Sequence, residues 1–154
     1  MERSFDRYSR LKFTLGSVLV TMENITSLLA VPGASIAVVG ATDNLHKYGS
    51  IIYRELKRKG FPVYAVNLHR DTVDGDPSYA TLADLPTSPT VLNFVVPPEE
   101  SLVVLEQAQE LCYMNVWLQP GSESIRVVEY LDDAGFNYLT GSCIMVASPQ
   151  PNRT

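Results

Sequence analysis

Apolar residues along this chain gather into short runs, and the stretches between them carry a helical repeat. The runs "SIAVV" (35–39), "PVYAV" (62–66), "TVLNFVV" (90–96) and "NVWL" (115–118) are rich in β-branched residues and too continuously apolar to alternate between core and water. Strands covered on both faces of a parallel sheet read this way. Residues 48–59 predict a helix with Tyr48, Ile51, Ile52 and Leu56 on its inner face, stopped by Gly60 and closely followed by Pro62. Residues 98–112 predict a second helix, opened by Pro98, Glu99 and Glu100 and burying Val104, Leu105, Ala108, Leu111 and Cys112. Residues 122–134 predict a third, with Ser122 as N-cap and Gly135 at its end. A fifth strand, "FNYLT" (136–140), and a sixth short one, "IMVAS" (144–148), close the series. The polar, turn-rich segment 69–89 predicts no more than a short helix, and Tyr113 and Trp117 are expected to fill the core.

Strands that alternate with helices imply βαβ units with right-handed crossovers. The expected fold is therefore α/β: a three-layer, Rossmann-like, doubly wound and mainly parallel sheet of five to six strands. One domain is expected over 23–148, after an N-terminal extension of 1–22 and before a disordered tail of 149–154. Met22 opens "MENITSLLAVPGAS", a natural place for a protein to start. The earlier run "RLKFTLGSVLV" has the basic-then-apolar order of a signal peptide, but Glu23 and Asn24 interrupt it. In a doubly wound sheet ligands lie at the carboxyl ends of the strands. That rule selects the loops "GATDNLHKYG", "NLHR", "PPEE" and "QPGS".

Composition narrows the picture. A chain of 154 residues, 45% of them hydrophobic, fills one core. A net charge of −5 argues against nucleic acid. The distribution of charge says more than the total. Residues 46–70 hold six of the twelve Lys and Arg against Glu55 alone, whereas 71–152 hold Arg126 against twelve acids. Arg54, Lys57, Arg58 and Lys59 fit the outer face and last turn of a helix, which leaves Lys47 and Arg70 nearest the loops. Cys112 and Cys143 form no CxxC or zinc spacing, so no metal site is expected, and a reduced, cytoplasmic protein with no membrane association is the simplest expectation.

The first loop reads as an anion holder of unusual form. Gly40 lets the chain turn sharply at a strand end, and the amides from Ala41 to Gly49 lead into a helix whose positive end favours anions. The dinucleotide fingerprint is missing, because Thr42, after Ala41, stands where its second glycine belongs. The nucleoside-triphosphate loop also fails, since Tyr48 follows Lys47. After the second strand, where an acid would hold a ribose diol, stand Asn67, His69 and Arg70, which suit a phosphorylated ribose better. Asp43 in such a loop is expected to cap the helix. His46 and His69 lie on different loops with no nucleophile in evidence, and no catalytic residue is assigned.

Six segments in order, "VVGATDN", "YGSIIYRELKRKGFPVYAVN", "GDPSYATLADLP", "VVPPEE", "VWLQPG" and "AGF…GSCIM", resemble the CoA-binding family of small stand-alone proteins, which is similar to the CoA-binding domain of the succinyl-CoA synthetase α subunit. The resemblance implies a cofactor, coenzyme A or an acyl-CoA, bound without catalysis. It implies that Ala41, Thr42, Asp43, Asn44 and Lys47 meet the phosphates and that Asn67 to Arg70 lie near the adenosine. It further implies that Val96, Pro97 and Pro98 line a nucleotide–pantetheine wall, with Leu118, Gln119, Gly121 and Cys143 at the pantetheine end. Two departures stand out: Leu68 replaces a proline common in the family, and Glu99 and Glu100 put acids beside the third loop. The alternatives are an NAD(P)-binding oxidoreductase and a partner-binding protein with a decayed site. A homo-oligomer or a protein partner is compatible with each.

Overall fold

In the computed structural model the described residues are 12–15, 18–21 and 24–150. Strands β1 (Lys12–Leu15) and β2 (Val18–Thr21) pair antiparallel as a sheet of their own. Then follow α1 (Ile25–Leu29), β3 (Ile36–Val39), α2 (Tyr48–Lys59), β4 (Val63–Val66), β5 (Thr72–Val73), β6 (Asp76–Tyr79) and a 3₁₀ turn at Leu82–Asp84. The chain continues through β7 (Val91–Phe94), α3 (Pro98–Glu110), β8 (Asn115–Leu118), α4 (Ile125–Ala134), β9 (Asn137–Leu139) and α5 (Ile144–Ala147). The expectations for 1–22 and 149–154 fall largely outside the described residues.

The main sheet has the order β5-β6-β4-β3-β7-β8-β9, parallel except for the outer strand β5. Winding starts at β3 and runs outward in both directions, so the switch point lies between β3 and β7. Right-handed crossovers put α2 on one face and α3 and α4 on the other. The expected Rossmann-like α/β architecture is present. It has seven strands rather than five or six because the polar segment after β4 supplies two. The signal was Asp74-Gly75, with φ of 52° and 80°, a turn pair that joins two strands whose twist it matches. The β5–β6 hairpin is tied to α2: Asp76 accepts hydrogen bonds from the Tyr53 hydroxyl (2.8 Å) and from Lys57 Nζ (2.7 Å). Its carboxyl is held below the usual carboxylate range, by Lys57 first and Tyr53 second.

Four local expectations are corrected. On α2 the buried face is Gly49, Ser50, Ile52, Tyr53 and Leu56, while Tyr48 and Ile51 are exposed. The helix is rotated because Gly49, lacking a Cβ, is the residue laid against β3. Helix α3 stops at Glu110, and Cys112 sits exposed at φ 61° where the chain turns toward β8, so it is not a core residue. Ser124, not Ser122, caps α4, its Oγ accepting from the Val127 amide at 3.2 Å. The segment "IMVAS" is the short helix α5 rather than a strand. Only Ile144 and Ser148 of it are buried, and the backbone oxygens of Met145 and Ser148 accept from Lys59 Nζ at 2.7 and 3.1 Å. Thus Lys57 and Lys59 of the basic cluster, with Arg58 paired to Glu55, serve the fold.

The core is aliphatic, with Trp117, Tyr53, Phe94 and Phe136 as its largest fully buried side chains, while Tyr113 packs half-buried against it. One polar group stands out. Asn93, in the middle of β7, is wholly buried, and neither atom of its amide has a partner among the described residues. An unpaired buried amide costs about 1–3 kcal/mol. Asn93→Leu, close in volume, is therefore expected to stabilise the protein by about 1 kcal/mol or more. Urea unfolding reads this as a higher midpoint with an unchanged slope.

Candidate functional site

At the carboxyl end of β3, Gly40 adopts φ 102°, a left-handed turn that side chains resist. A Cβ there would meet Val96 Cγ1 at 2.7 Å. The loop is then braced by its own short side chains. Thr42 Oγ1 accepts from the Asn44 amide (3.2 Å), and Asn44 Oδ1 accepts from the His46 amide (3.1 Å). Such turns convert a flexible polar run into a fixed cradle. Lys47 is the N-cap of α2 in extended conformation, with no side chain capping the first turn and no acid within it. The leading amides of α2 therefore face the strand ends without a side-chain acceptor, a positive terminus suited to an anion.

The second loop leans on the first. Asn67 Nδ2 donates to the Ala41 carbonyl at 2.8 Å, and its Oδ1 accepts from the His69 amide at 2.8 Å. Asp43 does not cap α2. Its carboxylate accepts from the Asp74 amide at 2.7 Å and lies 3.8 Å from Arg70. That arrangement turns the acid toward the hairpin and draws Arg70 toward the first loop. His46, Lys47, His69 and Arg70 are all exposed along this side.

Across the switch point lies a cavity of ≈ 420 Å³ lined by Tyr48, Val95, Val96, Pro97, Gln119, Pro120, Gly121, Ser122 and Cys143. No lining side chain is charged. Its floor is held by hydrogen bonds between loops. Gln119, 5% exposed, donates from Nε2 to Cys143 Sγ (3.3 Å) and accepts at Oε1 from the Ile144 amide (2.9 Å). Ser122 Oγ donates to the Phe94 carbonyl (3.1 Å), and Trp117 Nε1 donates to the Ser142 carbonyl (2.9 Å). Gly121, at φ 100°, donates its amide to Glu123 Oε1 at 2.7 Å.

Of the residues singled out in the sequence, Val96, Pro97, Gln119, Gly121 and Cys143 line this cavity. Gly40, Thr42, Asp43, Asn44, Lys47, Asn67, His69 and Arg70 form the adjoining polar shelf. Ala41 and Leu118 are fully buried, so Leu118 belongs to the core of β8, and Pro98 begins α3. Tyr48, Val95, Pro120 and Ser122 also line the cavity; the loops picked out in the sequence contain Tyr48, Pro120 and Ser122, but none of the four was singled out as a site residue. Tyr48 had a readable signal: as the first residue of a helix that follows the loop, it faces the strand ends whatever the helix's apolar stripe suggests. Among the described residues no helix is long and apolar enough to cross a membrane, and no three His, Cys, Asp or Glu residues group to hold a metal.

A glycine-turned polar shelf joined to an uncharged cavity at the switch point stands where doubly wound α/β sheets hold their ligands. Residues 34–149 match the family described as the CoA binding domain, and the chain belongs to that family. A conserved hypothetical protein from Pyrococcus furiosus is 42% identical, with a TM-score of 0.72 over 75% of this chain and 99% of its own. A hypothetical protein from Pyrococcus horikoshii is 27% identical, with a TM-score of 0.73 over 80% of this chain and 86% of its own. The dinucleotide-forming acetyl-coenzyme A synthetase 1 of Ca. Korarchaeum cryptofilum, solved with phosphate and ADP, is 25% identical. Its TM-score is 0.60 over 73% of this chain and 26% of its own.

Proposed function

We propose that the protein binds coenzyme A or an acyl-CoA across the ends of β4, β3, β7 and β8 and performs no chemistry on it alone. The observation that carries this reading is the junction of two unlike surfaces at one switch point. A cationic shelf with an uncapped helix terminus meets an uncharged cavity of ≈ 420 Å³. A ligand with clustered phosphates at one end and a long neutral arm at the other satisfies both, whereas a dinucleotide would bring a second ribose and base to the apolar side. Membership of the CoA-binding family supports the same ligand. The phosphates would lie against the amides of 42–49 and Lys47, the 3′-phosphate near His69 and Arg70, and the pantetheine arm between Val96 and Gln119. The match covers 26% of the acetyl-CoA synthetase chain, so that enzyme's activity is not carried over to this protein.

Thermal unfolding with CoA, acetyl-CoA, NAD and NADP tests this. Ligand linkage predicts a midpoint that climbs with the logarithm of CoA concentration above its dissociation constant. NAD and NADP should leave it unmoved. A shift with NAD equal to that with CoA, or none with CoA at millimolar concentration, overturns the reading.

A further inference from the structure

We propose that the cavity at the β7–β8 loops receives an uncharged acyl group and discriminates against acyl groups that carry a carboxylate; this rests on the CoA reading above. Charge is graded along the strand ends. His46, Lys47, His69 and Arg70 stand over β3 and β4, and the nearby acid Asp43 is occupied by Arg70 and the Asp74 amide. Over β7 and β8 the sign reverses. Glu99 and Glu100 follow the cavity-lining Pro97 in the first turn of α3, and Glu123 is pinned beside the cavity by the Gly121 amide.

The start of α3 is also a poor anion site in itself. Pro97 is the N-cap and Pro98 the first helical residue, so two leading amide hydrogens are missing and the next two residues bring negative charge. The phosphates of the ligand are thus drawn to α2, which fixes the polarity of binding, and the thioester end falls in the cavity. There an acyl carboxylate would leave water for walls of Tyr48, Val95, Val96, Pro97 and Pro120, with the oxygen and one N–H of the Gln119 amide and the hydroxyl proton of Ser122 already engaged. No cation lines the cavity to offset that loss. Repulsion from three carboxylates adds to it.

Butyryl-CoA and succinyl-CoA make the decisive pair, because each has four acyl carbons and they differ by a carboxylate in place of a methyl. Calorimetric titration at low salt is expected to give butyryl-CoA at least about a tenfold advantage, narrowing as salt screens the glutamates. In the double variant Glu99→Gln/Glu100→Gln the gap should shrink by about threefold or more, through tighter succinyl-CoA binding. Both residues are exposed, so the fold tolerates the change. Equal affinities for the two esters, or tighter succinyl-CoA, overturn the preference while leaving CoA binding in place. Failure of unacylated CoA to bind overturns both.

Discussion

Gly49→Ala is expected to destabilise the protein by about 3 kcal/mol or more and to abolish ligand binding at ordinary concentrations. A Cβ on Gly49 would lie 2.1 Å from the Gly40 carbonyl oxygen and 3.1 Å from its carbon. Both are backbone atoms of the turn at the end of β3, so no rotamer change relieves the clash. Either α2 backs away from the sheet or the Gly40 turn opens, and each disturbs the polar shelf proposed to hold the phosphates. The sign of the effect is diagnostic. In a free helix, alanine in place of glycine stabilises by up to about 1 kcal/mol. Gly135→Ala provides the contrast, because φ there is 79° and nothing lies within 4 Å. It should lose about 1–2 kcal/mol from left-handed strain alone. Denaturant unfolding of both variants decides the matter: a stabilised Gly49→Ala protein would show that α2 does not approach β3 so closely.

That close approach explains what was legible in the sequence and what was not. Continuous apolar runs at 35–39, 62–66, 90–96 and 115–118, too short for helices and rich in β-branched residues, read as strands covered on both faces, so the doubly wound sheet was readable, and with it the loops at the strand ends. The face of α2 was misread because hydrophobicity placed Tyr48 and Ile51 inward, whereas backbone contact at Gly49 sets the rotation. A missing side chain leaves no mark in an apolar pattern. The hairpin β5–β6 escaped for a different reason. Thr72 and Val73 face only one neighbour strand at the sheet's edge, so they need no long apolar run, and Asp74-Gly75 was the sole local signal. At the candidate site, residue types selected loops at the strand ends but not the partners of their side chains. Asp43 looked like a helix cap by spacing. The hairpin amide that engages it lies 31 residues further on, a distance no local pattern encodes. Gln119 and Ser122 fall in the same class, since the groups they bond sit on β7 and at Cys143 and Ile144, where α5 begins.

Lys47→Glu is expected to weaken CoA binding by about thirtyfold, equivalent to about 2 kcal/mol, through a lost charge-assisted contact and added repulsion. The position lets binding be separated from folding. Lys47 is exposed, and as N-cap its backbone already takes the extended conformation that a helix start requires. A glutamate there meets the positive end of α2 favourably, so circular dichroism should be unchanged and the unfolding midpoint equal or slightly higher. Arg54→Glu is the matched control: it removes an exposed cation from the same helix, beyond the first turn. Screened over that distance, it should alter affinity by no more than about twofold at physiological salt. Lower salt should widen the difference for Lys47 far more than for Arg54. If Lys47→Glu binds CoA as the parent protein does, the backbone amides of the first loop and the start of α2 hold the phosphates unaided, and the cationic shelf contributes only to the rate of encounter.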